Sequence, residues 1–138
     1  MNRAILDVLI VDDDEVDRET VRRLLPDDYR VREASLGLAA LSMVRARRPD
    51  CILLDWFLTD IEGQELVGRF SKAGIPVIVL TAIPNARIIL QAMQHGAQDF
   101  LLKDDLSRAI LQQAVVEAIE DLAESQPETA KSMRGSVL

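Results

Sequence analysis

The feature that most constrains the fold is a set of four apolar runs only three or four residues long. They read VLIV at 8–11, CILL at 51–54, VIVL at 77–80 and FLL at 100–102. Each is too short for a helix and is continuous rather than alternating, which predicts strands covered on both faces. A fifth, weaker strand is expected at 29–34, where Tyr29, Val31 and Glu33 alternate with charged or small residues, as near a sheet edge.

Between the runs the apolar period becomes helical. Val16, Val21, Leu24 and Leu25 form one stripe; Leu38, Leu41 and Val44 a second; Leu66, Val67 and Phe70 a third; Ile89, Leu90 and Met93 a fourth. Leu111, Val115, Ala118, Ile119 and Leu122 predict a last helix ending near Ala123, with Asp104 and Asp105 favouring its N-terminus. Pro26, Pro49, Gly74 and Pro76 fall between the elements. Five strand-then-helix units imply parallel strands, right-handed crossovers and helices on both faces, a three-layer α/β/α sandwich. Residues 1–124 are expected to form this single domain, and the polar, small-residue stretch 125–138 a flexible tail or linker.

Composition narrows the function. A chain of 138 residues that is 49% hydrophobic can cover one core, and a second folded domain is not expected within it. Its net charge of −7 argues against general affinity for nucleic acid or anionic membranes. Cys51, the single cysteine, sits in an apolar run and is expected to be a buried, inert thiol in a reducing compartment. No segment approaches the roughly 18 apolar residues of a membrane helix, and the N-terminus lacks a signal-peptide pattern. A cytoplasmic location is expected.

In a parallel sheet, ligands gather at the carboxyl ends of the strands. Asp12, Asp13 and Asp14 follow the first strand, Asp55 the third, Thr81 the fourth and Lys103 the fifth. Carboxylates brought to one edge either take up protons or acquire a cation, and Mg²⁺ is the hard ion suited to oxygen ligands and phosphate. Lys103 can pair with an acid or with a phosphoryl oxygen. Two residues keep simpler readings open. Asp14 suits the cap of a helix beginning near Glu15, and Thr81 suits either a hydrogen bond to phosphate or the cap of a helix near Pro84.

The motifs VLIVDDD, ILLDWFLTDIEG, VIVLTA and GAQDFLLKD together make the chain resemble, over about residues 7–123, the receiver domains of bacterial two-component response regulators, the CheY-like proteins. The resemblance implies a flavodoxin-like strand order 2-1-3-4-5. It implies that Asp55 accepts a phosphoryl group from a sensor histidine kinase or a histidine phosphotransfer protein. Asp13, Asp55 and the backbone carbonyl of Phe57 would hold Mg²⁺ directly, and Asp12 partly through water. Lys103 and Thr81 would grip phosphoryl oxygens. Movement of Thr81 would let Phe100 turn inward, repacking the face of the fourth helix, fifth strand and fifth helix, through which a downstream protein or a second copy would bind; Phe100 as an ordinary core residue is the simpler alternative. Such a chain assists its own phosphorylation without being a conventional enzyme.

Asp104 and Thr59 stand where the family commonly has proline. Apolar Phe57 and Ile83, two residues past Asp55 and Thr81, are placed to shield an aspartyl phosphate from water. A flavodoxin-type redox protein is disfavoured by three aspartates where a flavin phosphate would sit. A haloacid-dehalogenase-type phosphatase is disfavoured by Phe57 at the position of a second catalytic acid. The remaining alternative is a receiver fold that works by contact alone, without phosphorylation.

Overall fold

The computed structural model describes residues 5–125. Five strands, β1 (Asp7–Val11), β2 (Arg30–Ala34), β3 (Cys51–Asp55), β4 (Val77–Thr81) and β5 (Asp99–Leu102), alternate with five helices. These are α1 (Glu15–Leu24), α2 (Gly37–Ala46), α3 (Gly63–Lys72), α4 (Ala86–Gln94) and α5 (Arg108–Glu124). All strand pairs are parallel, and the order across the sheet is β2-β1-β3-β4-β5, as expected.

The unbroken apolar runs follow from the period-2 geometry of a sheet covered twice. Leu9, Val11, Ile52, Leu54, Val77 and Val79 point to one side and meet Ala40 of α2, Leu66 and Phe70 of α3, and Ile88 and Ala92 of α4. Their neighbours Val8, Ile10, Cys51, Leu53, Ile78 and Leu80 point to the other and meet Val21 of α1 and Leu111, Val115 and Ala118 of α5. Each fully buried large side chain of this kind contributes on the order of 1.5–3 kcal/mol. Helices α3 and α4 stop at Gly74 (φ 78°) and Gly96 (φ 111°), left-handed positions that return the chain to the sheet.

Three expectations about the helices, two on their faces and one on the start of α5, are corrected. In α4 the inward pair is Ile88 and Ala92, while Ile89, Leu90 and Met93 are 36%, 58% and 45% exposed. Three consecutive apolar residues, Ile88 to Leu90, leave periodicity unable to choose which of them faces the sheet. Val16 and Leu38, each in the first turn of its helix, also point outward. Asp104 and Asp105 do not open α5. They lie in a 3₁₀ turn, Lys103–Asp105, and the helix is capped by Ser107, whose Oγ accepts from the Ile110 N–H at 3.1 Å. Apart from Ser125, which ends α5, the expected tail lies outside the described residues.

Charge is well matched at the amino ends of the strands. The buried carboxylate of Asp7 pairs with Arg32 at 2.9 Å and Arg47 at 3.1 Å, and its backbone N–H donates to Asp50 Oδ2 at 2.7 Å. Towards the other end of β2, Glu33 fastens this edge strand to α1, binding Arg18 at 2.9 Å and Arg22 at 2.7 Å. The acids that follow β1 and β3 at the carboxyl edge carry less compensation. Among the described residues no helix is long and apolar enough to cross a membrane.

Candidate functional site

The parallel register sets Val11 against Leu54, so the residues that follow, Asp12 and Asp55, emerge side by side at the carboxyl edge. Both are buried, whereas Asp13 is exposed. One carboxylate oxygen from each of the three lies within 4.8 Å of the others, the arrangement needed to hold a cation. Asp14 turns away: its Oδ1 caps α1, accepting from the N–H groups of Val16 at 2.8 Å and Asp17 at 3.2 Å. Asp12 is braced on both sides, its Oδ1 accepting from the Asp14 N–H at 2.9 Å and its carbonyl from Arg18 Nη1 at 2.7 Å.

Lys103 reaches into this group from the end of β5. Its Nζ lies 2.7 Å from Asp12 Oδ2, 2.8 Å from Asp17 Oδ2 and 3.7 Å from Asp55 Oδ2. Burial disfavours the ammonium, but hydrogen bonds to Asp12 and Asp17, with the charge of Asp55 nearby, hold it protonated well above the ordinary lysine range. Asp55 moves the other way. Burial, then repulsion from Asp12, push its carboxyl up to about 6, against the opposing pull of Lys103 and the Phe57 N–H, which donates to Asp55 Oδ1 at 3.3 Å. Three carboxylates facing one ammonium leave two negative charges uncompensated when all are ionised, which is the condition under which a divalent cation fits.

Thr81 is fully buried at the end of β4 and pairs in register with Leu102, the residue before Lys103. Its Oγ1 accepts from the Ile83 N–H at 3.3 Å, tying down the following turn, and the cap of α4 is Asn85 rather than Thr81. Phe100 is partly buried against the α2–α3–α4 core. Phe57 and Ile83 are 49% and 52% exposed at the rim. All peptide bonds of the described residues are trans, including the one joining Lys103 to Asp104.

Cys51 lies far from this chemistry. It is buried in β3, where desolvation pushes its thiol up to about 12.

A family model described as the response regulator receiver domain matches residues 8–121. The chain belongs to the response regulator receiver domain family. Receivers of this family interact with histidine kinases in two-component signalling. Among its relatives, the response regulator MprA of Mycobacterium avium (strain 104) is 35% identical over 99 residues, 70% of this chain and 43% of that protein. The receiver thus spans less than half the length of the curated relatives it matches. Of solved structures, the signal receiver domain of NarL from Mycobacterium tuberculosis superimposes with a TM-score of 0.77 at 31% identity, over 86% of this chain and 98% of that one. NtrX from Brucella abortus gives 0.81 at 26% identity, over 93% of this chain and 29% of that one.

Two residues of the receiver's site escaped sequence reasoning. Asp17 meets Lys103; its place in the first turn of a helix starting at this sheet edge was the available signal. Asp60 accepts from the backbone N–H groups of Gly37 at 3.0 Å and Leu38 at 2.9 Å, capping α2 from the loop after β3. Those two N–H groups, Leu38 first, hold its carboxyl below the usual range. No local pattern announces a cap supplied from 22 residues away.

Proposed function

We propose that this receiver takes a phosphoryl group onto Asp55 from a phosphohistidine of a sensor kinase or histidine phosphotransfer protein, with Mg²⁺ held by Asp12, Asp13, Asp55 and the backbone carbonyl of Phe57. The observation that carries this is the convergence of three acid side chains within 4.8 Å, with Lys103 Nζ 3.7 Å from the expected nucleophile. An Asp55 oxygen forms the new P–O bond as the P–N bond of the donor breaks and its imidazole departs. When bound, the cation supplies charge neutralisation at the incoming phosphoryl oxygens. Lys103 provides a second positive charge, and the Thr81 hydroxyl, released from the Ile83 N–H, a hydrogen bond.

The output follows from movement at Thr81. Phe100, partly buried on the neighbouring strand in register with Val79, turns further inward, and the α4–β5–α5 face repacks. That face is offered to a downstream protein or to a second copy of the chain, and α4 already presents Ile89, Leu90 and Met93 outward. The buried thiol of Cys51 suits the reducing cytoplasm, where we place the protein.

The test is incubation with Mg²⁺ and acetyl phosphate followed by intact mass. One phosphoryl adduct is expected, dependent on Mg²⁺ and absent in Asp55→Ala. No adduct, or one that persists in Asp55→Ala, refutes the reading in favour of a contact-only module.

A further inference from the structure

Lys103 is shared unequally. An ammonium has three N–H donors, and two of them are taken at hydrogen-bond distance by Asp12 (2.7 Å) and Asp17 (2.8 Å). Asp55, the group on which the phosphoryl reading above depends, is left at 3.7 Å, beyond a hydrogen bond. The two tethers differ in kind. Asp12 belongs to the carboxylate trio able to hold a cation, so a bound ion draws its charge away from Lys103. Asp17 is outside that trio. It projects from the first turn of α1, its side chain 39% exposed while that of Lys103 is 14% exposed.

We propose that Asp17 is a positioning residue that restrains Lys103 on the α1 side of the site and so slows phosphoryl uptake by Asp55. With the cation in place, Asp17 is the carboxylate still holding the ammonium, and Lys103 must exchange that partner for a phosphoryl oxygen as the group arrives. The restraint acts on the unphosphorylated state. Once the exchange is made, Lys103 sits on the phosphoryl group in both the product and the transition state for its hydrolysis. Uptake is therefore sensitive to Asp17 and hydrolysis is not, a split that a merely structural role would not produce.

The experiment rests on the phosphoacceptor reading and separates its failure from that of this inference. Full-length wild-type, Asp17→Asn, Asp17→Glu and Glu15→Gln proteins are given acetyl phosphate and Mg²⁺. Adduct formation and its decay after donor removal are followed by intact mass. In parallel, beryllofluoride affinity is read from the fluorescence of Trp56, the only tryptophan, beside Asp55.

Asp17→Asn is expected to raise the uptake rate and beryllofluoride affinity roughly 1.5- to fivefold, the range for a partly exposed ion pair, with decay unchanged. Asp17→Glu, which restores the carboxylate, is expected to return both towards wild type. Glu15→Gln removes the same charge from the same turn without touching Lys103, and is expected to match wild type. An uptake rate unchanged or lowered in Asp17→Asn overturns the proposal, as does an equal rise in Glu15→Gln, which would reduce the effect to repulsion of the anionic donor. A wild-type protein that takes no adduct overturns the phosphoacceptor reading, and this inference with it.

Discussion

Replacing Asp55 by asparagine should make the metal-free protein more stable. The folded chain holds this carboxyl at about 6, because burial and Asp12 oppose its charge, whereas in the unfolded chain it ionises near its usual value of about 3.9. Between those values the native state keeps a proton that the unfolded state has lost. The linkage slope is then negative, and stability falls as pH rises from about 4 to about 6, with the full penalty present above that. Two units at about 1.4 kcal/mol each set an upper bound near 3 kcal/mol. Solvent reaching this edge reduces it, so about 1–3 kcal/mol is expected. For a domain of this size that is a rise in Tm of roughly 3–10 °C. The assay is thermal unfolding by circular dichroism in EDTA from pH 4 to pH 8, on wild type and Asp55→Asn. The gap should be small at pH 4, open by pH 7 and shrink when Mg²⁺ is added to both. Equal melting temperatures at pH 7.5 in EDTA, or a gap that widens towards pH 4, refute the reasoning.

Two further outcomes are expected. Phe57→Asn replaces a half-exposed apolar side chain at the rim with one that can orient water, so its aspartyl phosphate should decay severalfold faster than wild type; equal lifetimes by intact mass would remove the shielding role. Asp60→Ala deprives α2 of its only side-chain cap among the described residues, since Leu36 offers none. It should cost about 1 kcal/mol and speed hydrogen exchange of the Gly37 and Leu38 amides ahead of those in α3, while unchanged exchange there would show that the cap contributes nothing.

The strands were legible because burial on both faces of a parallel sheet leaves an unbroken apolar run, a signal that few other contexts produce; their order came from the family resemblance instead. Helix faces were harder to read. In α4, Ile88, Ile89 and Leu90 are chemically equivalent, and only the sheet beneath decides that Ile88 turns inward. The acids of the site could be found from their positions after strands, and Asp14 could be assigned as a cap by its place before α1. Asp60 could not, because its partner Leu38 lies 22 residues away, and Asp17 offered only its place in the first turn of α1, its partner lying 86 residues away. Pairing across the fold leaves no period in the chain. Ser107 was overlooked for a different reason: two aspartates nearby were the louder helix-start signal, but the chain spends them in a 3₁₀ turn first.

The two ends of the sheet treat charge in opposite ways. At the amino end Asp7 is locked between Arg32 and Arg47, while at the carboxyl end Asp12 and Asp55 share one lysine, itself divided with Asp17. Fastening and chemistry are thereby kept about one strand length apart, and a change at either end need not disturb the other. A library of variants sorted first by thermal survival and then by phosphoryl uptake would fall into two nearly separate sets, one mapping to each end of the same five strands.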